Sequence, residues 1–321
     1  MHILILGAGA VGLGMAAALS AAKSDITLVT RGGMPSGERS IRVTGVLGDH
    51  EIPPGRVAFL PADGLAEQAS PPDYVIVATK TFQVASAIRS IAPLLEKSRR
   101  PPAFLLPQNG WGSADEAAAI APAGAMLYSA ALMTGLARLS PAEVLIAAHA
   151  TPIRIGSLFG HPQAAIEPLL QDFAQGFIDV EYREDIKTII LNKFMFSICL
   201  NAPGAILRCA YGEMAASPAR RELMIRLADE AVAVVREVCG VALYEDGADY
   251  IHGTLIPKLM PRVAAHKSSM FQDLEAGRKT EIDYLNGAIA RMAAGAHMPA
   301  PCNEVMTSLI HAAETGSSAG V

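Results

Sequence analysis

The chain is short of charge, of cysteine and of paired metal ligands. Of its 321 residues only 18% are Asp, Glu, Lys or Arg, below the roughly 25% usual for globular proteins. The balance of 26 basic against 31 acidic residues gives −5, with no basic run, so nothing calls for a nucleic acid or an anionic membrane as partner. Cys199, Cys209, Cys239 and Cys302 are scattered without a CxxC pair, three of them inside apolar stretches. They read as buried free thiols in a reducing, cytoplasmic setting rather than as a disulfide framework. The histidines show neither HxH nor HExxH spacing, so no metal site is expected. What is abundant is apolar residues, 51% of the chain, which suits a well-buried α/β protein and argues against disorder.

The first segment, MHILILGAGAVGLGMAAALSAAK, is apolar enough to imitate a signal peptide. It has no basic leading region, and its glycines interrupt the run too often for a membrane span. No other segment reads as long and apolar enough to cross a bilayer. The length suits two domains. The first half alternates short β-branched runs with helical stretches, the pattern of βαβ units and a parallel sheet. Strands are expected at His2–Leu6, Ile26–Thr30, Tyr74–Ala78, Phe104–Leu106, Met126–Leu132, Glu143–His149 and Pro152–Ser157. The last two are read as an antiparallel extension of the sheet. Helices should follow Gly9, Phe82 and Ser113, with another near Gln163–Gly176. Beyond Asp185 the texture becomes long helical segments broken at Ala202-Pro203-Gly204, Gly240, Gly277 and Met298-Pro299, with a frayed tail at Gly316-Ser317-Ser318-Ala319-Gly320. The expected architecture is therefore a Rossmann-type doubly wound domain over 1–183, followed by a smaller all-helical domain over 184–321.

Gly7-Ala8-Gly9-Ala10-Val11-Gly12 follows the strand ILIL directly and opens a helix. Three glycines at this spacing have separate tasks. The first permits a tight turn, the second lets backbone approach a pyrophosphate, and the third lets the helix pack close to the strand. The helix N-terminus then offers unpaired amides and a partial positive charge to phosphates. NAD-binding domains place an acid at the end of the next strand to accept from the ribose 2′-hydroxyl. Here that end reads Thr30-Arg31-Gly32-Gly33, with Asp25 before the strand. A planar cation at Arg31 suits a 2′-phosphate, so NADPH is the expected cofactor; a solvated surface arginine is the alternative. Lys80, after DYVIVAT, and Asn109, after FLLPQ, end strands aimed at the same crevice. Either reads as a ligand contact or as an ordinary loop residue.

In the second half, Ile189–Asn201 is apolar nearly all round except for Lys193, Ser197 and Asn201. At i, i+4 and i+8 these three drift only about 80° around a helix and form one narrow polar stripe. Pro203 is expected to end the helix just beyond Asn201. A lysine there could snorkel to water or pair with a carboxylate. It could also sit partly desolvated with a lowered pKa, ready to give a proton to a carbonyl oxygen. Ser268 and the Thr280–Asp283 pair read as helix caps.

These segments together make the chain similar to the ketopantoate reductase (2-dehydropantoate 2-reductase) family. GAGAVG, Thr30-Arg31, Thr79-Lys80, Gln108-Asn109-Gly110, Lys193 with Asn201, Ser268-Ser269-Met270 and Thr280-Glu281-Ile282-Asp283 follow the family's order. The resemblance implies a Rossmann domain before a helical one, catalysis in the cleft between them, and a place in pantothenate biosynthesis. It implies that Gly7 to Gly12, Arg31 and Lys80 hold NADPH, with Asn109 near the nicotinamide and substrate. It makes Lys193 the proton donor, Asn201 and Ser269 substrate-binding residues, and Glu281 an acid at the active site that also contacts cofactor. The chain departs from the family in carrying Ser197 where a second asparagine is usual, and in placing Ala202 between Asn201 and proline. Both changes touch the substrate end. The implied reaction is reduction of a 2-oxo acid to a 2-hydroxy acid, with ketopantoate as first candidate. A larger or more apolar 2-oxo acid, with Ser197 lending room, is the alternative, and a non-catalytic NADP-binding sensor is a third reading. The Met- and Ala-rich helices could bury a homodimer face or form internal core.

Overall fold

The computed structural model describes residues 1–30, 39–63 and 65–316. Arg31 and the tail at 317–321 lie outside the described residues. Contacts divide the chain into two compact units, one formed by 1–108 with 113–187 and the other by 109–112 with 188–321.

The first unit is built on an eight-stranded sheet. Its strands are β1 (His2–Leu6), β2 (Asp25–Thr30), β5 (Ala58–Pro61), β6 (Tyr74–Val77), β7 (Ala103–Leu106), β8 (Met126–Ala131), β11 (Ile153–Gly156) and β12 (Val180–Tyr182). They lie in the order β12-β11-β8-β7-β6-β1-β2-β5. From β8 through β5 all neighbours are parallel, whereas β11 runs antiparallel to β8. The parallel strands are continuous apolar runs because both faces are covered. In β1, Ile3 and Ile5 enter one core layer while Leu4 and Leu6 enter the other, the period of two made visible. Helix α1 (Ala10–Leu19) follows β1, and its small residues let it pack closely; a Cβ at Gly14 would lie 2.7 Å from Leu136. The other helices of this unit are α2 (Leu65–Gln68), α3 (Val84–Ser90), α4 (Ala92–Leu95), α5 (Ser113–Ala118) and α6 (Glu167–Phe173).

All seven expected strands are present, each end within one residue of its expected place. The pairing of the last two differs from expectation. Pro152–Ser157 does extend the main sheet as β11, but Glu143–His149 becomes β10 of a second sheet. There it pairs antiparallel with β9 (Thr134–Ser140) and parallel with β3 (Ile41–Gly45), whose other neighbour is β4 (His50–Ile52). Only Pro141-Ala142 separates β9 from β10, and so short a connection favours a hairpin. β9 has no clean inside–outside alternation, so the sequence did not announce it.

The second unit is helical. Its main elements are α7 (Ile186–Ile206), α8 (Tyr211–Ala216), α9 (Pro218–Cys239), α11 (Ser269–Glu275), α12 (Asn286–Gly295) and α13 (Pro301–Gly316). α9 starts with Pro218 in its first turn and stops at Gly240 in the left-handed region, φ 65°. Between α9 and α11, α10 (Gly247–Tyr250) runs directly into a π-helical segment, Ile251–Leu259.

Two expectations fail in α7. The helix does not end at Pro203 but continues to Ile206. The proline forfeits one backbone bond, yet Leu207 still donates to the Pro203 carbonyl at 2.9 Å, so the last turn closes around it. α7 is also long and apolar enough to cross a membrane by length and composition, contrary to the reading that no such segment exists; 67% of its most apolar window is buried inside the protein. Its apolarity is that of a core helix. Cys199, Cys209 and Cys239 are buried free thiols, as expected, and Cys302 is half-buried.

Candidate active site

In the first unit the glycine loop shows three distinct environments. Gly7 has φ +107°, a backbone that L side chains rarely adopt. A Cβ on Gly12 would sit 1.9 Å from the Gly7 carbonyl oxygen, so the helix approaches the turn too closely for any other residue. A Cβ on Gly9 would meet nothing within 4 Å among the described residues. Gly9 is the N-cap of α1, with no side-chain cap and no acid in the first turn. The helix therefore presents bare amides to open space, flanked by Ala8, Ala10 and Val11, which add no polar side chain of their own.

Two more oxygens belong to this end of the sheet. Among the described residues Thr79 Oγ1 and Gln108 Oε1 are buried without a hydrogen-bond partner, although the Gln108 amide donates to the carbonyls of Val77 and Thr79. Orphaned buried acceptors are uncommon unless a ligand or water completes them. From the sequence these two residues stand inside the motifs Thr79-Lys80 and Gln108-Asn109-Gly110 but receive no role of their own, unlike their neighbours Lys80, half-buried after β6, and Asn109. Asp25 is the first residue of β2, opposite His2 at the far end of β1, so it cannot reach a ribose at the glycine loop. Open space at Gly9, uncapped amides and two orphaned oxygens fit a dinucleotide.

The remaining candidates belong to the second unit. Its short piece 109–112 is tied to the turn after Thr280: Trp111 N–H donates to the Tyr284 carbonyl at 2.9 Å. Gly110, at φ +87°, lies so close that a Cβ would be 2.1 Å from the Tyr284 oxygen. This close approach brings the Asn109 segment against the turn that carries Glu281. The turn itself is a short 3-10 segment rather than the expected helix start; regular helix begins only at Asn286. Thr280 Oγ1 accepts from Ile282 N–H at 3.2 Å, a local turn bond that competes with helix. α13 grips it from outside, through Glu314 accepting from Thr280 N–H at 2.6 Å and His311 meeting Asp283 at 3.0 Å.

Lys193, Ser197 and Asn201 lie in three successive turns of α7. Lys193 makes no hydrogen bond or ion pair among the described residues, and the residue as a whole is half-buried. Burial lowers its pKa to about 8, against an opposing pull from the Glu281 carboxylate. Ser197 and Asn201 are buried as residues. Asn201 is held twice, by the Tyr211 hydroxyl donating to Oδ1 at 2.8 Å and by Ser268 Oγ donating to its carbonyl at 3.1 Å. Ser268 also caps α11 by accepting from Phe271 N–H at 3.0 Å, as expected, which leaves exposed Ser269 as the first residue of that helix. Tyr211 is a residue that sequence spacing gave no reason to single out. Among the described residues no cluster of His, Cys, Asp and Glu could hold a metal ion.

Residues 3–159 match the family described as Ketopantoate reductase PanE/ApbA, and residues 185–314 match its C-terminal counterpart. The chain belongs to the ketopantoate reductase family. As a family member it is an oxidoreductase acting on CH–OH groups, with a Rossmann-type nicotinamide-nucleotide unit. A 2-dehydropantoate 2-reductase from Aquifex aeolicus is 29% identical over 316 residues, covering 98% of this chain and 97% of that one. The crystal structure of a PanE/ApbA family ketopantoate reductase from Ralstonia eutropha superposes with a TM-score of 0.82 at 25% identity, covering 99% and 100% of the two chains. A D-mandelate dehydrogenase solved with NADH and anilino(oxo)acetate gives 0.85 at 21% identity, covering all of both chains, and shares the fold.

Proposed function

We propose that this reductase uses NADPH to convert a 2-oxo acid to a 2-hydroxy acid, with 2-dehydropantoate as the first substrate to test and the cytoplasm as its location. The observation that carries the reading is Lys193: a partly desolvated ammonium with a pKa of about 8, first in a polar stripe on an otherwise apolar helix. Bound NADPH supplies the hydride. The other tasks fall to the chain. Lys193 gives its proton to the carbonyl oxygen, and a pKa close to working pH suits an acid that must release it. Glu281 favours the charged form of that lysine and, with Asn109, contributes to the cofactor side. Asn201, Ser269 and Ser197 orient the carboxylate and carbonyl of the acid, and such positioning supplies several kcal/mol of barrier lowering. The glycine loop and Lys80 bind the pyrophosphate. NADPH rather than NADH follows from Arg31 after β2 and from Asp25 lying at the wrong end of that strand.

The smaller side chain at Ser197 favours a second reading, a bulkier 2-oxo acid. One experiment separates the two: a panel of 2-oxo acids with NADPH and with NADH, followed by loss of reduced-nicotinamide absorbance. Ketopantoate turned over best with NADPH supports the first reading, and a larger acid turned over best supports the second. Tight NADPH binding with no acid turned over overturns both in favour of a nucleotide sensor.

A further inference from the structure

Asn201 has two polar side-chain atoms, and the structure accounts for only one of them. Oδ1 accepts from Tyr211 at 2.8 Å. Nδ2 makes no hydrogen bond among the described residues, in a residue that is only 7% exposed. The tyrosine is itself rigidly seated. Its ring stands edge-on to Phe196 at 5.5 Å and lies 5.4 Å from the His266 ring. Its N–H donates to the His266 carbonyl at 3.0 Å, and that of Gly212 donates to Ala264 at 2.8 Å.

We propose that Tyr211 is a positioning and specificity-determining residue: its hydroxyl locks the Asn201 amide with the NH2 turned outward, making Asn201 a hydrogen-bond donor to an oxygen of the substrate. An amide free to rotate offers either a donor or an acceptor. An amide whose oxygen is engaged offers only N–H, which selects a carboxylate or carbonyl oxygen and disfavours a donor such as an amine. Burial raises the Tyr211 phenol well above its usual range, so the hydroxyl keeps its proton and remains the donor over the whole working pH. Ser268, bonded to the Asn201 carbonyl, holds the same residue from its backbone side. This inference rests on the reductase reading for what the donor meets.

The test is a double-mutant cycle read in KM and kcat for the best 2-oxo acid of the panel. Tyr211→Phe should raise KM roughly five- to tenfold, the worth of one neutral hydrogen bond, with kcat changed less than about threefold and NADPH affinity unchanged. In an Asn201→Ala background the same change should have no further effect, because the two act as one unit. Asn201→Asp keeps the acceptor for Tyr211 but replaces the outward donor with a carboxylate oxygen, so KM should rise roughly a hundredfold or more through like-charge repulsion. An unchanged KM in Tyr211→Phe, or its full penalty persisting in the Asn201→Ala background, overturns the proposal. If Tyr211→Phe does not fold, Asn201→Asp decides it alone, and a near-normal KM there overturns it. If the wild type turns over no 2-oxo acid, the reductase reading falls, and with it the substrate role of Asn201. The side-chain amide of Asn201, assigned in the 15N spectrum by its loss in Asn201→Ala, then reports the lock separately. It should exchange slowly in the wild type and fast in Tyr211→Phe, and equal exchange in both refutes the lock.

Discussion

The pKa of Lys193 makes a quantitative demand on the pH dependence of the reaction. If this ammonium is the acid, turnover follows its protonated fraction. With a pKa of about 8, roughly ten in eleven molecules carry the proton one unit below that value and roughly one in eleven one unit above it. kcat/KM for reduction should therefore fall about tenfold between about pH 7 and about pH 9. An ordinary lysine at 10.5 would stay more than roughly nine-tenths protonated over the same span, and the profile would be flat. Initial rates at subsaturating 2-oxo acid and saturating NADPH, in buffers of constant ionic strength, give the limb directly. Glu281 favours the charged lysine, so Glu281→Gln should move the limb to lower pH. A profile level to about pH 10, or a limb that moves up in Glu281→Gln, would refute the assignment of the proton to this residue.

Three further outcomes follow from the packing. Gly9→Ala places its methyl in open space, so the melting temperature of the free protein should stay within about 2 °C while NADPH affinity drops more than about tenfold; Gly12→Ala, with a Cβ 1.9 Å from backbone, should cost both, with stability falling by about 1–3 kcal/mol. Gly110→Ala pushes against the Tyr284 carbonyl from a positive-φ position and should lower turnover by separating the Asn109 segment from the Glu281 turn, visible as a fall in kcat and in melting temperature. Glu230 accepts from the N–H groups of Cys302 and Asn303 and from the buried Asn303 amide, so Glu230→Ala should cost about 2–3 kcal/mol in chemical denaturation, while Glu230→Gln, which keeps one acceptor, should cost less.

Much of this was legible in the residues themselves. The strand–glycine–helix opening is local, so β1, Gly7–Gly12 and α1 could be read from spacing alone. β1, β2, β6, β7 and β8 announced themselves because parallel strands buried on both faces are apolar runs, and β10 and β11 showed as short branched apolar runs although they lie outside the parallel part of the sheet. The stripe of Lys193, Ser197 and Asn201 stood out because α7 is apolar around it. Features set by distant partners were hidden. β10 leaves the main sheet because β3 and β9 offer it edges, and β9 carries no alternation to betray that. Pro203 is tolerated inside α7 because the following turn still closes. The Thr280 turn stays out of regular helix because its own hydroxyl and Glu314 take its amides. Tyr211 is ten residues from Asn201 and on another helix, so only the folded chain brings the two together.

The central claim concerns one proton, and a single-turnover measurement tests it most directly. With NADPH already bound, Lys193→Ala mixed with excess 2-oxo acid should bind the nucleotide as the wild type does and oxidise it a hundredfold or more slowly. Oxidation at close to the wild-type rate would contradict the account, because another group would then be supplying the proton.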